Sequence, residues 1–286
     1  MIYLVIGIAI LPIVVLCLYI YKKDVDKEPR HLLKRIFILG MFSVIPIVFS
    51  ENIVQKLLSI ENNNDLITLF ASTFIGVALI EELAKWLVVY FGVYNNKEFN
   101  HPYDAIVYSV YSSLGFAIVE NICYIISSPP TYVMRVGIYR AILTVPAHAF
   151  FGVIMGYFLS QAKKEEYSAN ITMSNRFMAL SILMSVTAHA VYDYLLFTER
   201  DEFVTIFFIF VALLYVLCFR LINIVSNDNR NFDGSYVLSR DMEKIENTRI
   251  RKIISKKSFL YSMLVLFIFS FLLLISAIIL STLFLT

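Results

Sequence analysis

Eight long apolar stretches dominate the sequence, and they limit what the chain can fold into. A helix needs about 20 mainly apolar residues to cross the roughly 30 Å of hydrocarbon in a bilayer. The stretches that meet this requirement cover residues 2–21, 36–58, 66–93, 103–126, 137–160, 177–198, 202–225 and 259–285. They are continuous rather than alternating in hydropathy, which excludes a transmembrane β-barrel. We therefore predict an all-α, polytopic membrane helix bundle with about eight transmembrane helices.

The composition agrees with a chain that lies mostly in lipid. Hydrophobic residues make up 59% of the 286 residues and charged residues 16%, whereas soluble domains contain about half and about a quarter. This balance excludes a soluble enzyme, a disordered chain and a secreted disulfide scaffold. The formal net charge of +2 is too small for a nucleic-acid-binding surface. We expect the lipid bilayer, and no nucleic acid, among the partners.

The basic residues between the apolar stretches predict the orientation of the chain. The loops after the first, third, fifth and seventh stretches carry most of the Lys and Arg residues, and the loops between them carry almost none. Under the positive-inside rule the basic loops are cytoplasmic. We therefore expect a multi-pass protein of the cell membrane with both termini extracytoplasmic.

The lengths of the loops predict the domain organisation. Most loops are too short to fold by themselves, so we predict a single membrane-embedded domain over residues 1–286. The longest connection is a predicted cytoplasmic loop over residues 226–258, where mixed charges surround several isoleucines. That segment fits either a helix on the anionic inner leaflet or a solvated linker.

Ionisable residues interrupt four consecutive apolar stretches, within a core motif region at residues 66–198. Charges inside spans are energetically costly, so they usually face a cavity or a partner and mark function. Polar contacts that hold helices together are the alternative explanation. Counted along each helix at about 1.5 Å per residue, their depths allow one cluster in the middle and outer half of the bilayer. The candidate site residues are Glu81, Glu82, Lys85, Glu120, His148, His189 and Asp193.

Spacing along the helices predicts which of these side chains meet. Lys85 follows Glu81 by four positions and Glu82 by three, so it can pair with each of them. Asp193 likewise follows His189 by four positions and can orient its imidazole. Adjacent residues differ by about 100° around a helix. We therefore expect that Glu81 and Glu82 do not point at one atom, and that one acts on substrate while the other is structural.

Three further residues in the spans carry weaker expectations. Glu51 is expected at the membrane interface, with a place beside the cavity as the alternative. Arg140 is expected either to bind a carboxylate or to extend to the membrane surface. Pro146, two residues before His148, is expected to loosen the helix and widen the cavity there.

The motifs of common hydrolases are absent from the sequence. It contains neither the H-E-x-x-H of zinc proteases nor the G-x-S-x-G of serine hydrolases. The mechanism that remains for a hydrolase is activation of water by glutamate and histidine, with or without a metal. Two histidines and a carboxylate form a catalytic zinc set with an open fourth position, which Glu120, His148 and His189 could supply. The same types of side chain can activate water alone, so zinc is an option rather than a requirement.

At these positions the sequence resembles the PrsW family of intramembrane proteases, in a superfamily with the CAAX-prenyl endoproteases and the APH-1 scaffold subunits. The likeness covers roughly residues 66–198 and consists of four motifs in order. They are a double glutamate with a following lysine (Glu81, Glu82, Lys85), an aromatic residue and alanine before Glu-Asn (Phe116, Ala117, Glu120, Asn121), a histidine followed by a glycine (His148, Gly152), and a histidine with an aspartate (His189, Asp193).

The resemblance implies cleavage of a membrane-anchored protein, of the anti-sigma-factor-like, site-one type, on the extracytoplasmic side, and so a role in signalling. Prenyl-protein proteases have a histidine where this chain has Glu120 and an asparagine where it has Asp193, which argues against a prenylated substrate. Two other functions stay open. They are a non-catalytic scaffold similar to APH-1 and a proton-coupled transporter in which the same residues form a relay.

The mechanistic hypothesis is hydrolysis by activated water. Glu81 takes a proton from water, which attacks a peptide carbonyl. Lys85 keeps Glu82 charged, and His189 positions the water or stabilises the oxyanion, with Asp193 beside it. The remaining site residues complete the polar wall of the cavity.

Overall fold

The computed structural model describes residues 2–57, 66–198 and 201–230. Seven helices in these ranges are long and apolar enough to cross a membrane, and no strand occurs in them. The helices are α1 (Ile2–Lys23), α2 (Arg30–Leu57), α3 (Leu66–Tyr94), α4 (Asp104–Ser127), α5 (Val133–Tyr167), α6 (Ile171–Phe197) and α7 (Asp201–Arg230). The predicted all-α polytopic bundle is confirmed. The eighth predicted span, residues 259–285, lies outside the described residues.

Several helices continue past the predicted spans, because hydropathy marks only the part of a helix that lies in hydrocarbon. Helix α5 ends only at Tyr167, where the chain turns through Ala169 at a φ of 58°. The side chain of Asn170 then accepts a hydrogen bond from the Met173 amide at 3.4 Å and caps the start of α6. Helix α7 reaches Arg230, so the loop predicted at 226–258 begins as helix, and its remainder lies outside the described residues.

Two helices that carry site residues contain π-helical turns. In α3 these turns cover Ser72–Ala78 and Tyr90–Tyr94, on either side of the segment Leu79–Val89. In α5 one covers Arg140–Thr144, directly before the segment that contains Pro146. Proline has no N–H for the carbonyl four residues earlier, which gives a physical reason for the wide turn where the sequence predicts a loosened helix. Such turns occur frequently at functional sites.

Helix α4 lies at the centre of the bundle, in contact with α1, α2, α3 and α5. Its contact with α5 is close because two glycines face it. A Cβ added at Gly156 would lie 2.6 Å from the Ile106 Cα, and one at Gly152 would lie 2.8 Å from Ser113 Oγ. Small residues four positions apart allow membrane helices to approach this closely. Since α5 also packs against α6, and α6 against α3, the four helices that carry the motifs are neighbours.

The outside of the bundle is apolar. Leu11 of α1 and Leu213 of α7 are each 63% exposed, whereas Glu81, Glu82 and Lys85 of α3 are buried. This reverses the arrangement in soluble proteins, where charged residues are mostly exposed, and it suits a surface that faces lipid. The chain is a multi-pass integral membrane protein. The extracytoplasmic placement of its termini stays a prediction.

Candidate active site

The centre of the site is an ion triad on α3. Lys85 Nζ donates to Glu81 Oε2 and to Glu82 Oε1, at 2.8 Å in each case. All three side chains are buried. The expectation that the two glutamates do not point at one atom is therefore wrong. Lys85 follows them by three and four positions, so it lies between their directions, and two flexible side chains reach the same ammonium group.

His189 of α6 joins this triad to Asp193. Its Nδ1 lies 3.0 Å from Glu82 Oε1 and 3.9 Å from Glu81 Oε2. Its Nε2 lies 3.2 Å from Asp193 Oδ2. Carboxylate oxygens only accept hydrogen bonds, so an imidazolium, protonated on both nitrogens, can donate to both sides. The ring of Phe151 stacks on the imidazole with the centroids 4.7 Å apart, which fixes its plane.

His148 of α5 faces the same lysine from another side. Its Nδ1 lies 3.3 Å from Lys85 Nζ, and its Nε2 lies 2.8 Å from Glu120 Oε2. An ammonium group only donates, so Nδ1 accepts, and the ring proton lies on Nε2, where it is donated to the carboxylate. The centroids of the two histidine rings are 5.6 Å apart. The surroundings therefore favour a neutral His148 beside a charged His189.

Arg140, in the π-helical turn of α5, extends the network. Its Nη2 lies 2.5 Å from Glu120 Oε2, and its Nε donates to Asn121 Oδ1 at 2.7 Å. Its guanidinium also lies over the Tyr124 ring, with Cζ 4.0 Å from the centroid. Carboxylate binding is therefore the correct one of the two expectations for this arginine. Together Arg140 and His148 hold Glu120 in one orientation.

Glu51 of α2 also lies beside the site. Its carboxyl group is close enough to interact with the charges of Glu81, Glu120, His189 and Lys85. Its Oε1 is buried and has no hydrogen-bond partner among the residues that the structure describes. The structure thus supports the alternative expectation for Glu51 rather than the interfacial position. The signal in the sequence was a single carboxylate within the apolar stretch at residues 36–58.

The network is more open on one side than on the other. The side chains of Glu82 and Lys85 are 0% exposed, whereas those of Glu120, Arg140 and Asp193 are 17%, 11% and 11% exposed. The closed side holds the acidic pair and its counter-charge.

One set of side chains in the site has the donor atoms that a metal ion needs. Ligand atoms of Glu81, Glu82 and His148 lie within 4.8 Å of one another. Two carboxylates and an imidazole suit zinc. Lys85 Nζ contacts the same three side chains, at 2.8, 2.8 and 3.3 Å. The ammonium group therefore takes the place in which a metal ion would lie, and a metal would have to displace it.

The set proposed from the sequence, Glu120, His148 and His189, is not among the groups with this spacing in the described part of the chain. Glu120 contacts Nε2 of His148, whereas the lysine faces Nδ1. Glu120 therefore orients His148 from the side of the ring that faces away from Lys85. The sequence alone did not indicate which ring nitrogen each carboxylate would reach.

The structure connects all the candidate residues through hydrogen bonds or ion pairs into one network. Sequence reasoning did not assign Phe151 to the site, and an aromatic residue in an apolar stretch gives no sign of such a role. The connected candidates are Glu81, Glu82, Lys85, Glu120, His148, His189 and Asp193.

Comparisons with known proteins find one family over most of the chain. The model of a family described as PrsW family intramembrane metalloprotease matches residues 28–220. A protein named Protease PrsW from Oceanobacillus iheyensis is 39% identical over 211 residues, which cover 74% of this chain and 90% of the relative. No solved structure matches the chain.

Two further relatives have the same name. The protein from Bacillus subtilis is 35% identical over 193 residues, covering 67% of this chain and 82% of the relative. The protein from Clostridioides difficile is 31% identical over 209 residues, covering 73% and 85%. The resemblance found in the motifs therefore extends over most of each protein.

Proposed function

Because the chain belongs to the PrsW family of intramembrane proteases, we propose that it cleaves a membrane-anchored protein with a water molecule activated by Glu81. The observation that carries this proposal is the buried ion triad of Glu81, Glu82 and Lys85 with a histidine on either side. Membership of a protease family favours this function over a non-catalytic APH-1-like scaffold and over a proton-coupled transporter.

The contacts of the two glutamates support different roles for them. Glu82 Oε1 is bonded to both Lys85 and His189, and its side chain is 0% exposed. Glu81 has one bond to the lysine, and its side chain is 5% exposed. Glu81 is therefore the better candidate for the base that takes a proton from water, and Glu82 for the group that holds the lysine and the histidine in place.

The proposed reaction follows from these positions. Glu81 accepts a proton from water while the water oxygen bonds to the peptide carbonyl carbon. The charge that develops on the carbonyl oxygen is stabilised by the positive charges of the Lys85 ammonium and the His189 imidazolium, whose N–H groups bond to neighbouring side chains. Protonated Glu81 then gives its proton to the peptide nitrogen as the C–N bond breaks. The carboxylate is thereby regenerated.

The other polar residues are proposed to position this machinery. Glu120 and Arg140 hold His148, and His148 Nδ1 accepts from Lys85. The lysine is thereby kept between the two glutamates. Asp193 holds His189 in place in a similar way, by accepting a hydrogen bond from its Nε2.

The family description implies a metal, and the donor set of Glu81, Glu82 and His148 fits one. Bound there, a zinc ion would polarise a carbonyl and lower the pKa of a coordinated water. We propose that the Lys85 ammonium supplies the local positive charge when no metal is bound. Stoichiometric zinc in purified protein, with activity lost on chelation and restored by zinc, would instead make these three residues metal ligands.

The site-one, anti-sigma-factor-like substrate is proposed from the family resemblance. On the more exposed side of the network, Glu120 lies seven residues before the end of α4 at Ser127, and Arg140 lies seven residues after the start of α5 at Val133. The positive-inside rule puts the connection between these two helix ends outside the cytoplasm. A cut near the extracytoplasmic face is consistent with both features.

Co-expression with candidate single-span proteins, anti-sigma factors among them, tests this function. Fragments should appear with the wild type and disappear with Glu81→Gln, while Glu165→Gln, on the exposed end of α5, should leave them unchanged. Equal amounts of folded protein in the membrane must be verified for each variant. Unchanged cleavage by a well-folded Glu81→Gln variant would contradict the proposed role of Glu81.

A further inference from the structure

A second group of buried carboxylates lies at the end of α4 opposite to Glu120. Asp24 and Glu28 belong to the connection between α1 and α2, and Asp104 lies in the first turn of α4. Their side chains are almost fully buried, with 3%, 4% and 0% exposure. One carboxylate oxygen from each lies within 4.8 Å of the others. We call these three residues the loop cluster.

The hydrogen bonds of the loop cluster leave several oxygens unused. Asp104 Oδ2 accepts from the amides of Asn100 and His101 at 2.8 and 2.7 Å, and Glu28 Oε2 accepts from the Tyr108 hydroxyl. In the described ranges, Asp104 Oδ1 and both oxygens of Asp24 have no hydrogen-bond partner.

Within the loop cluster, Asp24 has the fewest contacts to its carboxylate oxygens. The amides of Asp26 and Glu28 point toward its carboxyl group and lower its pKa, but within the described residues neither oxygen has a donor at hydrogen-bond distance and angle. Lys27 is close, but its Nζ donates to the carbonyl oxygens of Tyr21 and Lys22 at 2.8 and 3.1 Å, and to that of Asp24. The ammonium group therefore caps the end of α1 and does not bond to the carboxylate.

Three carboxylates buried this close together are unstable unless protons or a cation balance their charge. Burial raises the pKa of Asp24 to about 6 and that of Glu28 to about 7. The shifts have the direction expected when charge is not balanced by the surrounding protein. The donor atoms are all oxygens, which are the ligands that the hard cations Mg²⁺ and Ca²⁺ prefer.

We propose that the loop cluster binds one hard divalent cation, with Asp24, Glu28 and Asp104 as its protein ligands. The cation would join the connection between α1 and α2 to the start of α4. Since α4 also carries Glu120, the bound ion would stabilise the helix on which one wall of the active site is built. Mg²⁺ is the first ion to test. The predicted orientation puts the connection between α1 and α2 and the connection before α4 in the cytoplasm, where Mg²⁺ is abundant.

Binding to the full-length purified chain tests this proposal. After treatment with EDTA, Mg²⁺ and Ca²⁺ are titrated separately by calorimetry, and thermal unfolding is followed with and without each ion at constant ionic strength. We expect one ion per chain and a saturable increase in Tm. Asp24→Asn should weaken binding by about tenfold or more, because the site loses a charged ligand.

Asp26→Asn is the matched control, because Asp26 lies in the same loop with its side chain 66% exposed. This variant should bind the cation as the wild type does. Glu81→Gln should do so as well, and that result would exclude binding of the cation in the active site. If Asp24→Asn does not fold, Glu28→Gln is tested in its place. If neither variant folds, the number of ions bound per wild-type chain decides. Absence of saturable binding to the wild type, or equal binding by Asp24→Asn and Asp26→Asn, would overturn the proposal and leave a carboxyl cluster that shares protons.

Discussion

The two buried acidic clusters of this molecule balance their charge in different ways. In the active site, Lys85 contacts both glutamates of α3, and Arg140 contacts Glu120. In the loop cluster, within the described residues, the bonds to the carboxylates come from backbone amides and a tyrosine, and Asp24 has none. The first cluster therefore has its counter-charges within the protein. In the second, no Lys or Arg side chain of the described residues is bonded to a carboxylate oxygen.

The largest effect is expected from removing the base in the active site. Glu81→Gln should lower the cleavage rate by about 10²–10⁴-fold, the usual contribution of acid–base catalysis, with little change in stability. Glu82→Gln should lower both activity and stability, because it loosens Lys85 and His189 together. Fragment yield with a cleaved substrate, and thermal unfolding in detergent, measure the two effects. The reverse pattern would exchange the roles of the two glutamates.

A large loss of stability is expected when the active site loses its cation. Lys85→Met leaves two buried carboxylates without their counter-charge, which should lower the free energy of unfolding by about 3–5 kcal/mol. Denaturant unfolding in detergent measures this loss. Lys97→Met, whose side chain is 79% exposed, is the control and should change little. A loss below about 1 kcal/mol for Lys85→Met, as for a surface pair, would mean that the triad is not what balances the charge.

An intermediate effect is expected at the residue that orients His148. Removing the carboxylate behind a metal-bound histidine lowers activity by about 10–100-fold, and we expect a similar loss from Glu120→Gln. Because Glu120 contacts His148 Nε2 and not the triad, kcat should fall more than KM rises, and the pH profile should shift. An unchanged pH profile with a lower yield of folded protein would point to a purely structural role.

The smallest effect sharpens the contrast between the clusters. In EDTA, Asp24→Asn removes a buried charge that lacks a partner, so stability should stay equal or rise by about 1 kcal/mol or less. The same type of change in the active site, Glu82→Gln, should be destabilising. Unfolding of both variants beside the wild type measures the difference. Strong destabilisation by Asp24→Asn without added cations would show that this carboxylate has a balancing group within the protein.

The candidate residues of the active site could be found from the sequence because lipid makes charges conspicuous. A glutamate or histidine in an apolar stretch requires an explanation, and each of the candidates was identified on that ground. The loop cluster gave no such signal, since Asp24 and Glu28 lie between apolar stretches and Asp104 at the end of one. Charges in those positions are ordinary.

The contacts between helices could not be predicted in the same way. That Lys85 can pair with Glu81 and Glu82 follows from spacing on one helix. Whether Lys85 faces His148 depends on how α3 is rotated relative to α5. Spacing within one helix gives no information about that rotation. The π-helical turn before Pro146 also changes the direction of Arg140, and so its access to Glu120.

The amino-acid sequence by itself determined where the described helices cross the membrane and which of them carry ionisable groups, because apolar length and buried charge are properties of local segments. Only the tertiary structure decided which nitrogen of each histidine meets which carboxylate, that the Lys85 ammonium group approaches His148, and that Asp24, Glu28 and Asp104 come together. These relations depend on how separate helices and loops pack against one another. The close approach of α4 to α5 at Gly152 and Gly156, for example, belongs to the helix pair that joins Glu120 to His148.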